Sequence, residues 1–221
     1  MNISVRNAFE ASTANADVSV FIDVFRASST LAHMLEKGNT EILGAKDPAT
    51  VVKYKTEGYV VISEIMAGGL DNSPSQAISS GNGGKFIQKT GNFTAAVFAN
   101  LNFTRAVSAA FVNIGAVCEY LIGNRFENVD VVACGHFDER VQAVEDSSCA
   151  EMLRLMLSGE KPRPLPYFDT ILKKIEKRKS GRFQFPAHYW RDLELALQCD
   201  TVSTVPIIRK RSDEIVVFSN T

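Results

Sequence analysis

Short runs of β-branched and apolar residues alternate along the chain with longer stretches of helical periodicity. Six of the short runs predict strands, over 18–24, 40–44, 59–63, 85–89, 105–112 and 128–134. The longer stretches predict helices over 28–37, 47–57, 74–79, 93–101, 114–122 and 144–157. Strands that alternate with helices in this way are typical of an α/β fold. We therefore expect a mostly parallel or mixed sheet with helices on both faces, in three layers.

The pattern is interrupted between Gly159 and Pro166, where three prolines in five positions prevent a regular helix. We interpret 160–167 as a surface connection within one domain of residues 1–221. A small C-terminal subdomain over 168–221 is the alternative. Two further helices (168–178 and 187–198) and two strands (202–208 and 214–218) are predicted beyond the connection.

Composition and charge exclude several classes of protein. The chain has 221 residues, a hydrophobic fraction of 45% and a net charge of −1, so it lacks the basic excess of nucleic-acid or membrane-surface proteins. The basic run 173–179 is accordingly interpreted as a solvent-exposed helix face. No apolar run approaches the roughly 20 residues of a membrane span, and no secretory signal pattern opens the sequence, so we expect a cytoplasmic protein.

The cysteines predict neither a zinc site nor disulfides. None lies in a CxxC pair, and each has apolar neighbours, which favours reduced thiols in the core. The four are Cys118, Cys134, Cys149 and Cys199.

Candidate chemistry begins where the first predicted strand ends. In an open parallel sheet, ligands bind beyond the carboxyl ends of the strands. Asp23 lies at such an end, Arg26 follows three residues later, and Ser28 lies at the helix start. A carboxylate there suits a hard divalent cation, and an arginine suits an oxyanion. The alternative is a capped helix with a surface Arg–Asp pair.

Further acidic residues follow two other strand ends. Glu64 follows the third predicted strand and precedes a glycine-containing loop that leads to Asn72 and Ser73. Glu145 and Asp146 lie at the start of the helix after the sixth strand. Carboxylates at a helix start are stabilised by the helix dipole, but such a pair is equally able to ligate magnesium.

Polar residues at the remaining strand ends are weaker signals. They are Thr90 and Asn92 in a glycine turn that lacks P-loop spacing, Asn113, and His136. Together with the carboxylates and Arg26, this set suits an oxyanion substrate that is bridged to a metal ion. No GxGxxG sequence follows the first strand, which argues against a Rossmann nucleotide enzyme.

The motifs resemble those of the 2-phosphosulfolactate phosphatase family, the phosphatases of coenzyme M biosynthesis. The family block D-V-[LF]-R-A-[ST]-[ST]-T is matched by 23–30. The glutamate loop with N-S-P is matched by Glu64 and 72–74, a strand end with asparagine by Val112-Asn113, and the E-D helix start by Glu145-Asp146. These motifs appear in the family's order from about residue 18 to 158.

The resemblance implies an α/β phosphomonoester hydrolase that depends on Mg²⁺ and acts on 2-phospho-3-sulfolactate, a small anionic substrate. It implies metal ligands among Asp23, Glu64, Glu145 and Asp146. It implies catalytic roles for Asp23, Arg26 and Glu145. The substrate-binding residues that we predict are Arg26, Ser28, Asn72, Ser73, Thr90, Asn92, Asn113 and His136.

One turn departs from the family pattern. The family's T-T-N-G-T sequence appears here as Lys89-Thr90-Gly91-Asn92-Phe93-Thr94. A catalytically impaired anion-binding protein of the same fold is therefore the alternative function. We expect no nucleic-acid or membrane partner, and a homodimer is compatible with the sequence.

Overall fold

The computed structural model describes residues 1–12, 15–39, 41–81, 83–179 and 186–221. Its helices are α1 (Ala27–Glu36), α2 (Pro48–Thr56), α3 (Pro74–Ser79), α4 (Phe93–Ala99), α5 (Ile114–Gly123), α6 (Val144–Leu157), α7 (Leu165–Lys179) and α8 (Tyr189–Ala196). Its strands are β1 (Asn2–Asn7), β2 (Val18–Ile22), β3 (Glu41–Ala45), β4 (Val60–Ile62), β5 (Phe86–Gln88), β6 (Ala106–Ala109), β7 (Asn128–Ala133), β8 (Ile207–Lys210) and β9 (Ile215–Ser219).

These strands form one nine-stranded sheet in the order β1-β7-β2-β6-β8-β9-β3-β5-β4. The strands β1, β7, β2 and β6 pair in parallel, and so do β3, β5 and β4. Between these two blocks lie β8 and β9, which pair antiparallel with each other and with their outer neighbours. The predicted α/β fold with a mixed sheet is therefore confirmed.

Alternating side chains of the central strands enter two cores, one on each face of the sheet. On β2, Val20 and Ile22 pack with Leu121 of α5 and Leu153 of α6. Phe21 points to the opposite face and joins the cluster that contains Leu31 of α1, together with residues of α4. Helices therefore cover both faces, as the sequence predicted.

Several predicted boundaries were wrong. The strand β1 was not predicted; it is an edge strand whose apolar residues alternate with polar ones. The strand predicted over 202–208 begins only at Ile207, because 201–206 has no regular secondary structure. The strand predicted over 105–112 ends at Ala109, and a 3-10 turn (Phe111–Asn113) follows it. Thr40, the first residue of a predicted strand, lies outside the described residues.

An ion pair fixes the edge strand to the sheet. Arg6 of β1 lies 2.8 Å from the buried carboxylate of Asp130 on β7, and its guanidinium also donates to Asn100.

The C-terminal hairpin β8–β9 follows the proline-rich connection in the chain and lies within the same sheet as the other strands. The division of the chain into one domain stays a prediction.

Two expectations from composition can be compared with the structure. All four cysteines are free; Cys118, Cys134 and Cys149 are buried, and Cys199 is partly buried. Burial raises the pKa of each thiol. Within the described part of the chain, no helix is long and apolar enough to cross a membrane.

Candidate active site

Asp23 is the buried centre of the candidate site. It directly follows β2 and is a buried polar residue, only 5% exposed. The backbone N–H of Ala27 donates to its Oδ1 over 3.1 Å, so the carboxylate also supports the start of α1. Burial, together with the charges of Glu64 and Glu145, raises the pKa of Asp23 to about 7, against the lowering effects of the Ala27 N–H and of Arg26.

Asp146 joins the ends of two neighbouring strands. Its Oδ1 accepts a hydrogen bond from Val24 N over 2.8 Å, and its Oδ2 accepts one from Gly135 N over 2.9 Å. The residue is buried, and burial, together with the charges of Asp23 and Glu145, raises its pKa well above the ordinary value. Both Asp146 oxygens thus serve backbone amides. Glu145 is partly buried, at the same helix start.

Glu64 lies at the rim, on an exposed loop that follows β4. Its Oε1 accepts a hydrogen bond from Gly91 N over 2.7 Å. Because its charge also acts on Asp23, the structure brings the carboxylates from three strand ends into one electrostatic cluster. No three His, Cys, Asp or Glu side chains of the described residues form a ready-made metal site.

Two carboxylates surround Arg26. Its Nη1 and Nη2 donate to Asp71 over 3.1 and 3.2 Å, and its Nη1 also donates to the buried carboxylate of Asp192 over 2.9 Å. His188 Nε2 lies 2.6 Å from Asp71 Oδ2. An arginine has five N–H donors, and within the described part of the chain these bonds use three of them, which leaves two for an oxyanion. Its predicted role with phosphate or sulfonate stays a prediction.

The predicted substrate-binding residues of the first helix and the following loop have structural partners. Ser28 Oγ accepts hydrogen bonds from Asp23 N over 3.0 Å and from Ser108 Oγ over 2.8 Å. Asn72 Oδ1 accepts one from Gln88 Nε2, and Ser73 caps α3 while its hydroxyl donates to Asp192 over 2.7 Å. These side chains hold the loops of the site in place.

The glycine turn before α4 is also closed by internal bonds. Thr90 and Thr94 exchange hydrogen bonds between backbone N–H groups and side-chain oxygens, over 3.1 and 3.0 Å. Asn92 Oδ1 accepts one from Phe137 N over 3.1 Å, which connects this turn to the loop after β7. The turn therefore reaches the loop of His136, a partly exposed residue.

Asn113 is a buried residue whose side chain has two backbone partners. It is buried, its Oδ1 accepts a hydrogen bond from Ala110 N, and its Nδ2 donates to Thr204 O, each over 2.9 Å. This side chain connects the end of β6 to the segment before β8. Its predicted contact with substrate stays a prediction.

The loop that carries Glu64 and Asp71 closes against its own strand. Leu70 N donates to Val61 O over 2.8 Å, and a Cβ on the preceding Gly69 would lie 2.1 Å from that oxygen. We expect Gly69→Ala to displace the loop and to lower stability by about 1–3 kcal/mol. Thermal unfolding measures this loss.

Gly81→Ala is the matched control, because a Cβ on Gly81 meets no atom within 4 Å. Its melting temperature should stay close to that of the parent protein. Equal melting temperatures for the two variants would show that the loop adapts without cost.

The fold and the site define a class of protein: an α/β protein that gathers buried carboxylates and an arginine at the carboxyl ends of parallel strands. Within that class, the chain belongs to the 2-phosphosulfolactate phosphatase family. The family model described as 2-phosphosulpholactate phosphatase matches residues 4–211. The family resemblance inferred from the motifs is confirmed.

Curated relatives agree with this membership. A probable 2-phosphosulfolactate phosphatase of Thermoplasma volcanium is 25% identical over 198 residues, which cover 86% of this chain and 89% of the relative. One from Gloeobacter violaceus is 28% identical over 214 residues, with 86% and 87% covered. One from Thermotoga petrophila is 31% identical over 108 residues, with 47% and 48% covered.

Sequence reasoning missed Asp192 and His188. His188 directly precedes α8 and Asp192 lies within it. Both are more than 160 positions after Arg26, and each approaches the Arg26–Asp71 pair. Asp71 lies in the glycine-containing loop before Asn72, but nothing local to it indicated an arginine partner. A weak signal existed for Asp192: a carboxylate on the apolar face of an amphipathic helix needs a buried partner.

Proposed function

We propose that this chain is a Mg²⁺-dependent phosphatase that hydrolyses a small acidic phosphomonoester, 2-phosphosulfolactate or a related compound. The observation that carries the proposal is the carboxylate cluster around Asp23, in a member of this family. Burial and the nearby Glu64 and Glu145 charges disfavour the ionised form of Asp23, and a bound cation would remove that penalty.

The donor set fits magnesium. Mg²⁺ keeps several waters and usually takes one or two protein carboxylates. Among the described residues, Asp23 Oδ2 accepts no hydrogen bond, whereas both Asp146 oxygens do. We therefore assign direct ligation to Asp23, with Glu145 or Glu64 beside it, and assign Asp146 to positioning. When bound, the cation would polarise a phosphoryl oxygen as a Lewis acid.

The chain's own residues would activate the attacking water and hold the substrate. Glu145 is partly buried and its charge acts on Asp23, and this carboxylate would orient a water and accept its proton. The two remaining donors of Arg26 would bind an oxyanion, while Asp71 and Asp192 keep its guanidinium in one orientation. Burial of Asp23 strengthens each of these electrostatic interactions.

An assay of phosphate release tests the function. Protein stripped with EDTA should be inactive on 2-phosphosulfolactate and on generic phosphomonoesters, and Mg²⁺ should restore release. Mg²⁺ should also raise the melting temperature, because a ligand that binds only the folded state stabilises it. Complete inactivity over a broad ester panel, with metal present, would refute the proposal.

The internal bonds of Thr90 and Asn92 favour a second candidate, an anion-binding protein of the same fold without turnover. These bonds close the turn that departs from the family pattern. Isothermal titration with 2-phosphosulfolactate beside the release assay separates the two functions. Tight binding without phosphate release would support the second.

A further inference from the structure

Lys89 is a buried cation that has no close counter-ion among the residues that the structure describes. It directly follows β5 and is 7% exposed. Its Nζ donates to Thr90 O over 2.7 Å and lies 3.4 Å from Thr94 Oγ1. Within the described part of the chain, no carboxylate lies within ion-pair distance of Nζ. A lysine is rarely buried in this way unless a charge compensates it.

The carboxylates that act on Lys89 do so from a distance. Burial lowers the pKa of the lysine, and the negative charges of Glu64, Asp138 and Asp47 oppose that effect. An ammonium group has three N–H donors, and the two neighbouring threonines use two at most. One donor and an uncompensated charge are therefore left for a ligand.

A carboxylate already occupies the neighbouring backbone donor. Glu64 Oε1 accepts the hydrogen bond from Gly91 N over 2.7 Å, two residues beyond Lys89. Glu64 itself is exposed and belongs to the loop that closes on β4. An anionic group from outside the strand thus lies on the backbone N–H two residues beyond Lys89, and its charge acts on the buried ammonium.

We propose that Lys89 Nζ and Gly91 N–H form a subsite for a tetrahedral oxyanion, and that the Glu64 carboxylate partly occupies this subsite when no ligand is bound. The oxyanion is the phosphoryl or the sulfonate end of the substrate, so the identity of the ligand rests on the proposed function. Such a group would replace the Glu64 carboxylate on Gly91 N–H and would provide Lys89 with its counter-ion.

Anion titrations on metal-free protein test the subsite without any need for turnover. Inorganic phosphate and methanesulfonate are titrated separately, in EDTA, into the parent protein, Lys89→Met and Glu64→Gln. We expect Lys89→Met to weaken the bound anion at least about tenfold, the loss of one charge-assisted hydrogen bond. Glu64→Gln should tighten it, because a competing charge is removed.

Lys85→Met is the matched control. It removes the same charge at the opposite end of β5, where Lys85 is exposed, and its affinities should equal those of the parent protein. Lys89→Arg retains the charge and serves if the methionine variant does not fold; it should lose less affinity than Lys89→Met.

The titrations also identify which end of the substrate binds at the subsite. If Lys89→Met loses affinity for phosphate alone, the subsite binds the phosphoryl end. If it loses affinity for methanesulfonate alone, the subsite binds the sulfonate end. The proposal is overturned if a folded Lys89→Met binds both anions like the parent protein, or if the parent protein binds neither. A failed phosphate-release assay leaves these titrations interpretable, because they contain no metal and require no turnover.

Discussion

Replacing Asp23 with asparagine is expected to reduce phosphate release at least about 100-fold, the usual effect of removing a central electrostatic group. In metal-free protein at pH 8, the same change should raise the melting temperature. The reason is that Asp23 is buried among other negative charges, so its ionised form costs stability when no cation is present. Calorimetry of EDTA-treated protein measures this gain.

The expected pH dependence follows from the raised pKa. Asp23 has a pKa of about 7 in the folded protein, against roughly 4 when the chain is unfolded. Between these values the folded state binds more protons, so the stability of the metal-free protein falls as the pH rises through this window. A difference of about three pKa units corresponds to at most about 4 kcal/mol. Asp23→Asn should remove the part of this pH dependence of stability that comes from the Asp23 carboxylate.

Two controls separate charge from helix capping. Asp213→Asn alters an exposed carboxylate far from the site and should change neither activity nor pH dependence. Mg²⁺ should stabilise the parent protein and leave Asp23→Asn unaffected. If Asp23→Asn instead melts lower at every pH, then the hydrogen bond to Ala27 N, rather than the destabilising charge, dominates the energetics of this residue.

Elements whose residues are buried throughout could be predicted from the sequence. Elements whose position depends on pairing with distant parts of the chain could not. The strand β2 was predictable because all five of its residues are apolar or small and buried. The strand β1 was not, because it is an edge strand whose side chains are largely exposed over Asn2–Val5. The insertion of β8 and β9 between β6 and β3 depends on non-local pairing, which leaves no periodic signal.

The same distinction holds for the site. Asp23, Glu64 and Asp146 were predictable as neighbours because each follows or faces a strand end, and parallel strands bring those ends together. Spacing could not show that Asp146 gives both oxygens to backbone amides. It also could not show that Asp192 contacts Arg26, because α8 reaches the site only through tertiary packing.

Asp192→Asn should destabilise the protein strongly, by about 3–5 kcal/mol, the usual cost of breaking a buried ion pair. The Asp192 side chain is fully buried and accepts hydrogen bonds from Ser73 Oγ, Ser75 N, Ser75 Oγ and Arg26 Nη1 over 2.7, 3.0, 2.6 and 2.9 Å. An asparagine keeps one acceptor but loses the charge opposite Arg26. A fall in melting temperature of about 10 °C is expected for a chain of this length.

Acid titration supplies an independent test of the same carboxylate. Burial alone would raise the pKa of Asp192, but the hydrogen bonds from Ser75, Ser73 and Arg26 outweigh it and lower the pKa. Its stabilising effect is therefore present above the unfolded-state pKa and is lost as the pH falls through the lowered folded-state value. The difference in stability between the parent protein and Asp192→Asn should be largest near neutral pH and should disappear in strong acid.

Glu194→Gln, on the same helix, is the matched control for Asp192→Asn. Glu194 pairs with Arg191 on the exposed face of α8, and exposed pairs contribute less than about 1 kcal/mol. Its melting temperature should stay within a few degrees of that of the parent protein. If Asp192→Asn melted as high as this control but raised KM, the carboxylate would orient Arg26 for the substrate without holding α8. If neither quantity changed, the ion pair would be dispensable, and the two carboxylates around Arg26 would need another explanation.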